Sequence, residues 1–129
     1  MPNKKALRRN ETIKIVPKVW GEERWIHNDK LYCGKLLIVK KGKHCSLHYH
    51  KLKTETFYVT HGQLKVELTT LKDTKHNPPI IKESFELGVG QAIILKPNSV
   101  HRFTALTKET HLFEFSTQHF DSDSHRIAV

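Results

Sequence analysis

The sequence predicts a single all-β domain, built as a β-sandwich or a β-barrel. No window of a dozen residues places apolar side chains at the i, i+3, i+4 and i+7 positions of an amphipathic helix. Short runs rich in β-branched and aromatic residues recur instead, and Gly, Pro, Asn and Ser separate several of them. The chain has 129 residues, a length that suits one domain with a real apolar core.

Turn residues mark several of the strand boundaries. Lys41-Gly42 ends the third predicted strand, Gly62 separates the fifth from the sixth, and Pro97-Asn98-Ser99 precedes the ninth. Residues 70–79 are predicted to form a hairpin loop. Short strands at this spacing are typical of sandwiches and barrels. The predicted strands are 13–16, 24–26, 31–40, 44–49, 54–60, 63–71, 80–86, 91–96, 101–106 and 110–116.

The two ends of the chain differ from its strand-rich middle. Residues 1–10 are basic and are predicted to be a disordered arm, so the domain is expected to cover residues 11–129. Within that domain, residues 121–129 are polar and are predicted to be irregular.

The formal net charge of +9 lies entirely in the first part of the chain. Residues 1–53 hold 14 Lys and Arg against 4 Asp and Glu, whereas residues 54–129 hold 8 against 9. One interpretation is a solvated surface without a special partner. The other is an anionic partner, either a nucleic acid or a phosphorylated small molecule. Nucleic acid is the weaker candidate, because no aromatic residue precedes Trp20 and no nucleic-acid motif is found.

Composition and short apolar runs argue against several classes of protein. The longest apolar runs, such as 36–39 and 92–95, span only a few residues, so we expect neither a transmembrane helix nor a membrane partner. The basic start has no apolar stretch behind it, so we expect no secretory signal. Cys33 and Cys45 are too few for a disulfide scaffold and lack CxxC spacing. A reduced, cytoplasmic protein is the resulting prediction.

Strand alternation predicts that three histidines and one glutamate share the interior of the barrel. His48 and His50 have the same parity on one strand, and Glu55 and His101 alternate with apolar residues on others. Such a set suits one divalent Mn, Fe, Co, Ni or Zn ion and leaves positions open for substrate. A lone buried histidine is usually a hydrogen-bonded core residue, but four such groups are hard to bury without a metal. The histidines at 27, 76, 119 and 125 are expected in surface loops.

Two spaced motifs strengthen the metal prediction. They are Gly42-x5-His48-x-His50-x4-Glu55-x6-Gly62 and Gly90-x6-Pro97-x3-His101. The pair resembles the two motifs of the cupin superfamily, although Ser99 stands where the second motif usually has Gly. The resemblance implies a single-domain cupin, which is a double-stranded β-helix or jelly-roll barrel. It also implies the same four metal ligands, His48, His50, Glu55 and His101.

Further segments narrow the resemblance to one branch of the cupins. They are Trp20-Gly21, Tyr32-x2-Lys35, Glu55-x2-Tyr58-Val59-x2-Gly62, His101-Arg102, Glu114-Phe115-Ser116-Thr117 and Asp121-x-Asp123-x2-Arg126. The series is similar to the cupin domain of type II mannose-6-phosphate isomerases, over roughly Pro17 to Arg126. The chain departs from that family at Val19, where Pro is usual, and at His48, where many members have Gln.

Two basic residues match positions of that family and are implied to bind substrate. Lys35 and Arg102 would hold a phosphate, Arg as a bidentate partner and Lys as a point charge. Alternatively, Lys35 is a solvated strand residue and Arg102 pairs with a surface carboxylate.

Two other residues are candidates for general acid–base catalysis. Glu114 is a second carboxylate near the metal if its face of the strand looks inward. If Phe113 and Phe115 face inward instead, Glu114 is exposed to solvent. His44 has the parity of His48 and is expected at the mouth of the pocket.

Taken together, these features favour a metal-dependent aldose–ketose isomerase that acts on a sugar or sugar phosphate, similar to mannose-6-phosphate isomerases. One alternative is a sugar-binding cupin without catalysis, and another is a different cupin metalloenzyme, such as an iron dioxygenase or a lyase. The expected partner is the small sugar ligand. A homodimer is also expected, because outward apolar residues such as Leu47 and Tyr49 need cover.

Overall fold

Eleven β-strands and two short 3₁₀ turns form the regular structure of residues 7–128, the part of the chain that the computed structural model describes. No helix in this part of the chain has the length and hydropathy to span a membrane. Residues 1–6 of the predicted basic arm lie outside the described residues. The strands are β1 (Lys14–Lys18), β2 (Gly21–Asn28), β3 (Cys33–Lys40), β4 (Leu47–Tyr49), β5 (Glu55–His61), β6 (Gln63–Thr69), β7 (Glu83–Gly88), β8 (Ala92–Leu95), β9 (Val100–Ala105), β10 (Glu109–Ser116) and β11 (His125–Ala128).

Two antiparallel sheets form the barrel, which confirms the all-β prediction. One sheet has six strands in the order β1-β2-β3-β10-β5-β8, and the other has five in the order β11-β4-β9-β6-β7. Strands near in sequence therefore change sheet, since β3 and β5 belong to the first sheet and β4 to the second. This is the jelly-roll arrangement of a single cupin domain.

The apolar core lies between the inward faces of the two sheets. Leu37, Val59 and Leu112 of the six-stranded sheet belong to one buried cluster with Val66 and Phe103 of the five-stranded sheet. Each such side chain contributes about 1.5–3 kcal/mol when it is fully buried. This core fixes which residues of each strand face inward.

The alternation on β10 decides the direction of Glu114. Leu112 is fully buried and Glu114 is 4% exposed, whereas Phe115 is 54% exposed. Glu114 lies opposite Lys35 of β3, which is also buried. The inward face of β10 is therefore apolar at Leu112 and polar two residues further along the strand, at Glu114.

Residues 125–128 form a strand, so the prediction of an irregular segment over residues 121–129 is wrong for that part. β11 pairs with β4, with His125 opposite Tyr49 and Arg126 opposite His48. Because β11 has only four residues, two polar and then two apolar, and lies at the edge of its sheet, no apolar alternation marks it in the sequence.

The residues that suggested a homodimer are covered within the chain. Leu47 is 1% exposed, contrary to the prediction that it faces outward, and the Tyr49 ring stacks on His125 at 5.0 Å between centroids. Apolar side chains are exposed elsewhere, on strands of the six-stranded sheet, at Ile94 and Phe115. The homodimer therefore stays a prediction, on a different surface from the expected one.

Two glycines of the first motif are required by the backbone. Gly42 and Gly62 have φ angles of 72° and 81°, in the left-handed region. A Cβ on Gly62 would collide with the hydroxyl of Thr107 and the carbonyl oxygen of Glu109, whereas a Cβ on Gly42 would meet no atom within 4 Å. Gly62 is thus needed for its conformation and for space, and Gly42 for its conformation alone.

We expect Gly62→Ala to destabilise the protein more than Gly42→Ala. Both changes place a Cβ on a left-handed residue, at about 1–2 kcal/mol. The collision at Gly62 adds about 1–3 kcal/mol more. Urea unfolding of both variants beside the parent measures the difference, and equal losses of unfolding free energy would contradict this account of Gly62.

Candidate metal centre

The four side chains of the predicted metal set converge at one end of the barrel. His48 of β4 lies opposite His101 of β9, and His50 directly follows β4. Glu55 begins β5 in the other sheet. Its Oε1 lies 3.5 Å from Nε2 of His50, and its Oε2 lies 3.6 Å from Nε2 of His101. The three imidazole centroids are 4.4, 5.3 and 6.2 Å apart.

Backbone carbonyl groups orient all three imidazoles. Each Nδ1 atom lies within hydrogen-bond distance of a carbonyl oxygen, which can only accept, so each Nδ1 carries a hydrogen and donates it. In the neutral ring, Nε2 then has a free lone pair, as a metal ligand needs. The acceptors are the carbonyl oxygens of Ser46, Asp123 and Ser99, at 2.7, 2.9 and 2.9 Å from His48, His50 and His101, respectively.

Burial keeps these imidazoles neutral. It lowers the pKa of His48 to about 3 and the pKa values of His50 and His101 to about 4. The charge of Lys53 lowers the pKa of His50 in the same direction. The neutral form is the one that coordinates metal ions.

A buried lysine joins this set to a second carboxylate. Lys53 is 2% exposed, and its Nζ lies 2.5 Å from Glu114 Oε2, 3.4 Å from Glu55 Oε1 and 2.8 Å from His119 Nδ1. The three hydrogens of the ammonium group therefore have three acceptors. Lys53 is not distinguished in the sequence, because it precedes β5 close to another lysine, Lys51. The prediction that His119 lies on the surface is wrong, since its side chain is 9% exposed.

The two buried carboxylates differ in how well their charges are compensated. Burial and the nearby charge of Glu114 raise the pKa of Glu55 to about 8. Burial also opposes ionisation of Glu114, but the ammonium groups of Lys53 and Lys35 outweigh it and hold the pKa of Glu114 well below its usual range. The Ser116 hydroxyl donates a further hydrogen bond to Glu114, at 2.8 Å. The negative charge of Glu55 is therefore compensated less well than that of Glu114.

Asp123 connects the end of the chain to the histidine cluster. Its carbonyl oxygen accepts the hydrogen bond from His50, and its buried carboxylate accepts from the backbone N–H groups of Lys51 and Leu52. The turn after β4 is thereby fixed at both its backbone and its histidine. The sequence marks Asp123 only as part of a segment that resembles a known family, because its structural role depends on contacts about 70 residues apart in the chain.

A cavity of about 570 Å³ borders the cluster at His48. His44 lines it, in agreement with its expected place at the mouth of a pocket, and its Nδ1 lies 2.9 Å from the carbonyl oxygen of Cys45. The other lining residues include Lys18, Trp20, Glu23 and Arg126.

The residues implied to bind a phosphate are engaged elsewhere. Lys35 is 2% exposed, not solvated, and its Nζ lies 4.2 Å from the ring centroid of Trp25 and 3.6 Å from Glu23. Arg102 makes two contacts with Glu67, at 3.0 and 3.2 Å. Neither Lys35, Arg102 nor Glu114 lines the cavity.

The chemistry of the donor set fits a divalent metal. Within residues 7–128, no group of three or more His, Cys, Asp and Glu side chains stands close enough together to hold a metal ion as it is. Two ligands on one ion at about 2.1 Å lie about 3.0–3.4 Å apart, and the two separations from Glu55 are only slightly longer. Oriented Nε2 lone pairs and a carboxylate whose charge is only partly compensated are the groups that such an ion binds.

Comparison with known proteins assigns the chain to a family. A family model described as D-lyxose isomerase matches residues 20–127. The chain belongs to the D-lyxose isomerase family. This membership agrees with the cupin motifs, but it does not single out the type II mannose-6-phosphate isomerases. A comparison with curated proteins gave no match.

Solved structures with similar folds include three proteins of different names. The capsular polysaccharide assembling protein CapF from Staphylococcus aureus has a TM-score of 0.74 at 16% identity, over 93% of this chain and 33% of CapF. KdgF from Halomonas sp. has a TM-score of 0.69 at 16% identity, over 87% and 92% of the two chains. A mutant of Bacillus subtilis oxalate decarboxylase OxdC has a TM-score of 0.73 at 16% identity, over 88% and 30%. This D-lyxose isomerase family member thus spans about a third of CapF, and the likeness confirms the cupin fold.

We expect Lys53→Met to destabilise the protein by about 3–5 kcal/mol, because it leaves buried carboxylates without their shared cation. Lys40→Met is the matched control. Lys40 pairs with Glu109 at 2.6 Å, but its side chain is 54% exposed, so its loss should change stability little. Chemical unfolding of both variants measures the two effects. Equal stability of the two variants would show that Lys53 does not hold the buried carboxylates.

Proposed function

We propose that this member of the D-lyxose isomerase family is a metal-dependent aldose–ketose isomerase. The observation that carries the proposal is the convergence of three oriented imidazoles and Glu55 beside a cavity. The family membership supports a sugar as the substrate.

His48, His50, Glu55 and His101 would hold the metal in this proposal. A divalent transition metal bound there would polarise the carbonyl and the neighbouring hydroxyl of the sugar and stabilise negative charge that develops across C1 and C2. His48 is the member of the set that lines the cavity, so the substrate would approach from its side.

The substrate proposed here has the configuration that D-lyxose and D-mannose share. The two aldoses have the same arrangement at C2, C3 and C4 and differ in chain length. The family name points to the first sugar, and the resemblance found in the sequence points to the second, as its 6-phosphate. A site that holds C1 and C2 at the metal set therefore suits both.

Proton transfer is assigned to side chains on the cavity wall. Glu23 lines the cavity, and its carboxylate is oriented by Trp25 Nε1 at 2.9 Å and by Lys35 at 3.6 Å. Glu23 would take the proton from C2 and return it to C1, while His44 would move the proton between O2 and O1. The overall change moves one carbonyl group by one carbon and needs no oxidant.

Glu114, the catalytic candidate from the sequence, has a different place in this scheme. It lies behind Lys53 and outside the cavity lining, so it would act through Lys53 by holding the ammonium group beside Glu55. Glu23 was not a candidate in the sequence, because its inward direction follows from the pairing of β2 with β3, where Glu23 lies opposite Leu37.

We expect His50→Ala to lose most of its bound metal and to keep its fold, because each missing ligand weakens the set while the apolar core remains. Elemental analysis of protein purified without an affinity tag, together with circular dichroism, measures both. His76→Ala is the control, since His76 lies in the exposed loop between β6 and β7. Equal metal content in the parent and both variants would place the ligands elsewhere.

We expect the parent to isomerise D-lyxose, D-mannose or D-mannose 6-phosphate without oxygen, and to incorporate solvent deuterium when it does so in deuterium oxide. Glu23→Gln should lower kcat by about 10²–10⁴-fold and leave metal content unchanged, because it removes the base. Glu22→Gln is the matched control, since Glu22 is the neighbouring residue and binds Arg24 at 2.7 Å.

Two outcomes would count against the scheme. Full activity of Glu23→Gln would remove Glu23 from it. Binding of these sugars by the metal-loaded parent without any turnover would favour a sugar-binding cupin instead.

A further inference from the structure

Two cations on the cavity wall have no partner within residues 7–128. Lys18 ends β1, Arg126 lies in β11, and both line the cavity. Neither forms an ion pair or a side-chain hydrogen bond with the residues described. Arg102, by comparison, is fully engaged with Glu67.

The nearby carboxylates are used by other groups. Glu23 shares the cavity wall but accepts from Trp25 and lies beside Lys35. The charge of Lys18 contributes to lowering the pKa of Asp121. The carboxylate of Asp121 accepts a hydrogen bond from His119 Nε2 at 3.0 Å, however, and is otherwise exposed to solvent. The cavity therefore presents two positive charges that no carboxylate of its own wall neutralises.

The register places one of these cations next to the metal set. Arg126 lies directly opposite His48 in the β11–β4 pair, and residues opposite each other in an antiparallel pair project from the same face. The Arg126 side chain is exposed, whereas His48 is partly buried. A ligand bound at His48 would thus lie next to the guanidinium group.

We propose that the substrate is an aldose with a terminal phosphate and that Lys18 and Arg126 bind this phosphate. The inference rests on the proposed isomerase function for the class of ligand, and on the cavity for the phosphate. An arginine binds a phosphate through two parallel hydrogen bonds, and a lysine adds a point charge. The cavity volume of about 570 Å³ is in the ordinary range for small-molecule sites.

The test compares two probes that lack a carbonyl group and therefore do not react, D-mannitol and D-mannitol 1-phosphate. Calorimetric titration of the metal-loaded parent should show at least about ten-fold tighter binding of the phosphate, as expected for a charged hydrogen-bonded contact. The double variant K18M/R126M should lose this preference while its affinity for D-mannitol stays the same.

The control is K30M/K108M, which removes the same charge from two exposed residues outside the cavity. It should keep the preference. Equal binding of the two probes by the parent, no binding of either, an unchanged preference in K18M/R126M, or equal losses in both double variants would each overturn the phosphate assignment.

The assay of turnover separates this inference from the proposed function. If the protein isomerises D-mannose and shows no preference for the phosphate, the proposed isomerase function is supported and the phosphate site is refuted. If the phosphate preference depends on Lys18 and Arg126 but neither D-mannose nor D-mannose 6-phosphate is isomerised, the phosphate site is supported and the isomerase function is refuted.

Discussion

The buried ammonium group of Lys53 is the contact on which the arrangement of the site depends. Two carboxylates, Glu55 and Glu114, lie inside a barrel whose remaining interior is largely apolar. Without a cation between them they would repel each other, and one would have to be protonated. Lys53 stabilises both and is itself held by His119. Its single charge compensates Glu114 well and Glu55 poorly, which leaves Glu55 suited to a second cation.

The site is an extension of the core and needs no separate scaffold. On β3, β10 and β5, the alternation that buries Leu37, Leu112 and Val59 also turns the next inward positions toward the site, at Lys35 and Glu114 among others. Packing of the apolar part therefore fixes the directions of the polar part. This is why three histidines and one glutamate on three strands can be oriented within hydrogen-bond tolerances by a chain of 129 residues.

Sequence reasoning predicted the parts that follow from alternation and motif spacing. The strands and the inward direction of Glu55 and His101 follow from a period of two with apolar neighbours, and turn residues predicted the hairpin loop. It failed for Asp123, His119 and Lys53, because their burial depends on partners far away in the chain. β11 was missed for a related reason, since an edge strand with polar residues has no pattern until β4 pairs with it.

The fold constrains the geometry of the deeply buried site residues and leaves the exposed residues at the rim of the cavity free to vary. His50, Glu55 and His101 are at most 5% exposed, and backbone carbonyls orient both of these histidines, so the barrel constrains their geometry strongly. Lys18 and Arg126 lie on exposed strands at the edges of the two sheets, where a change of side chain costs little stability. Under the proposed function, the choice between a neutral and a phosphorylated sugar would be made by the rim residues of this chain and not by the buried set.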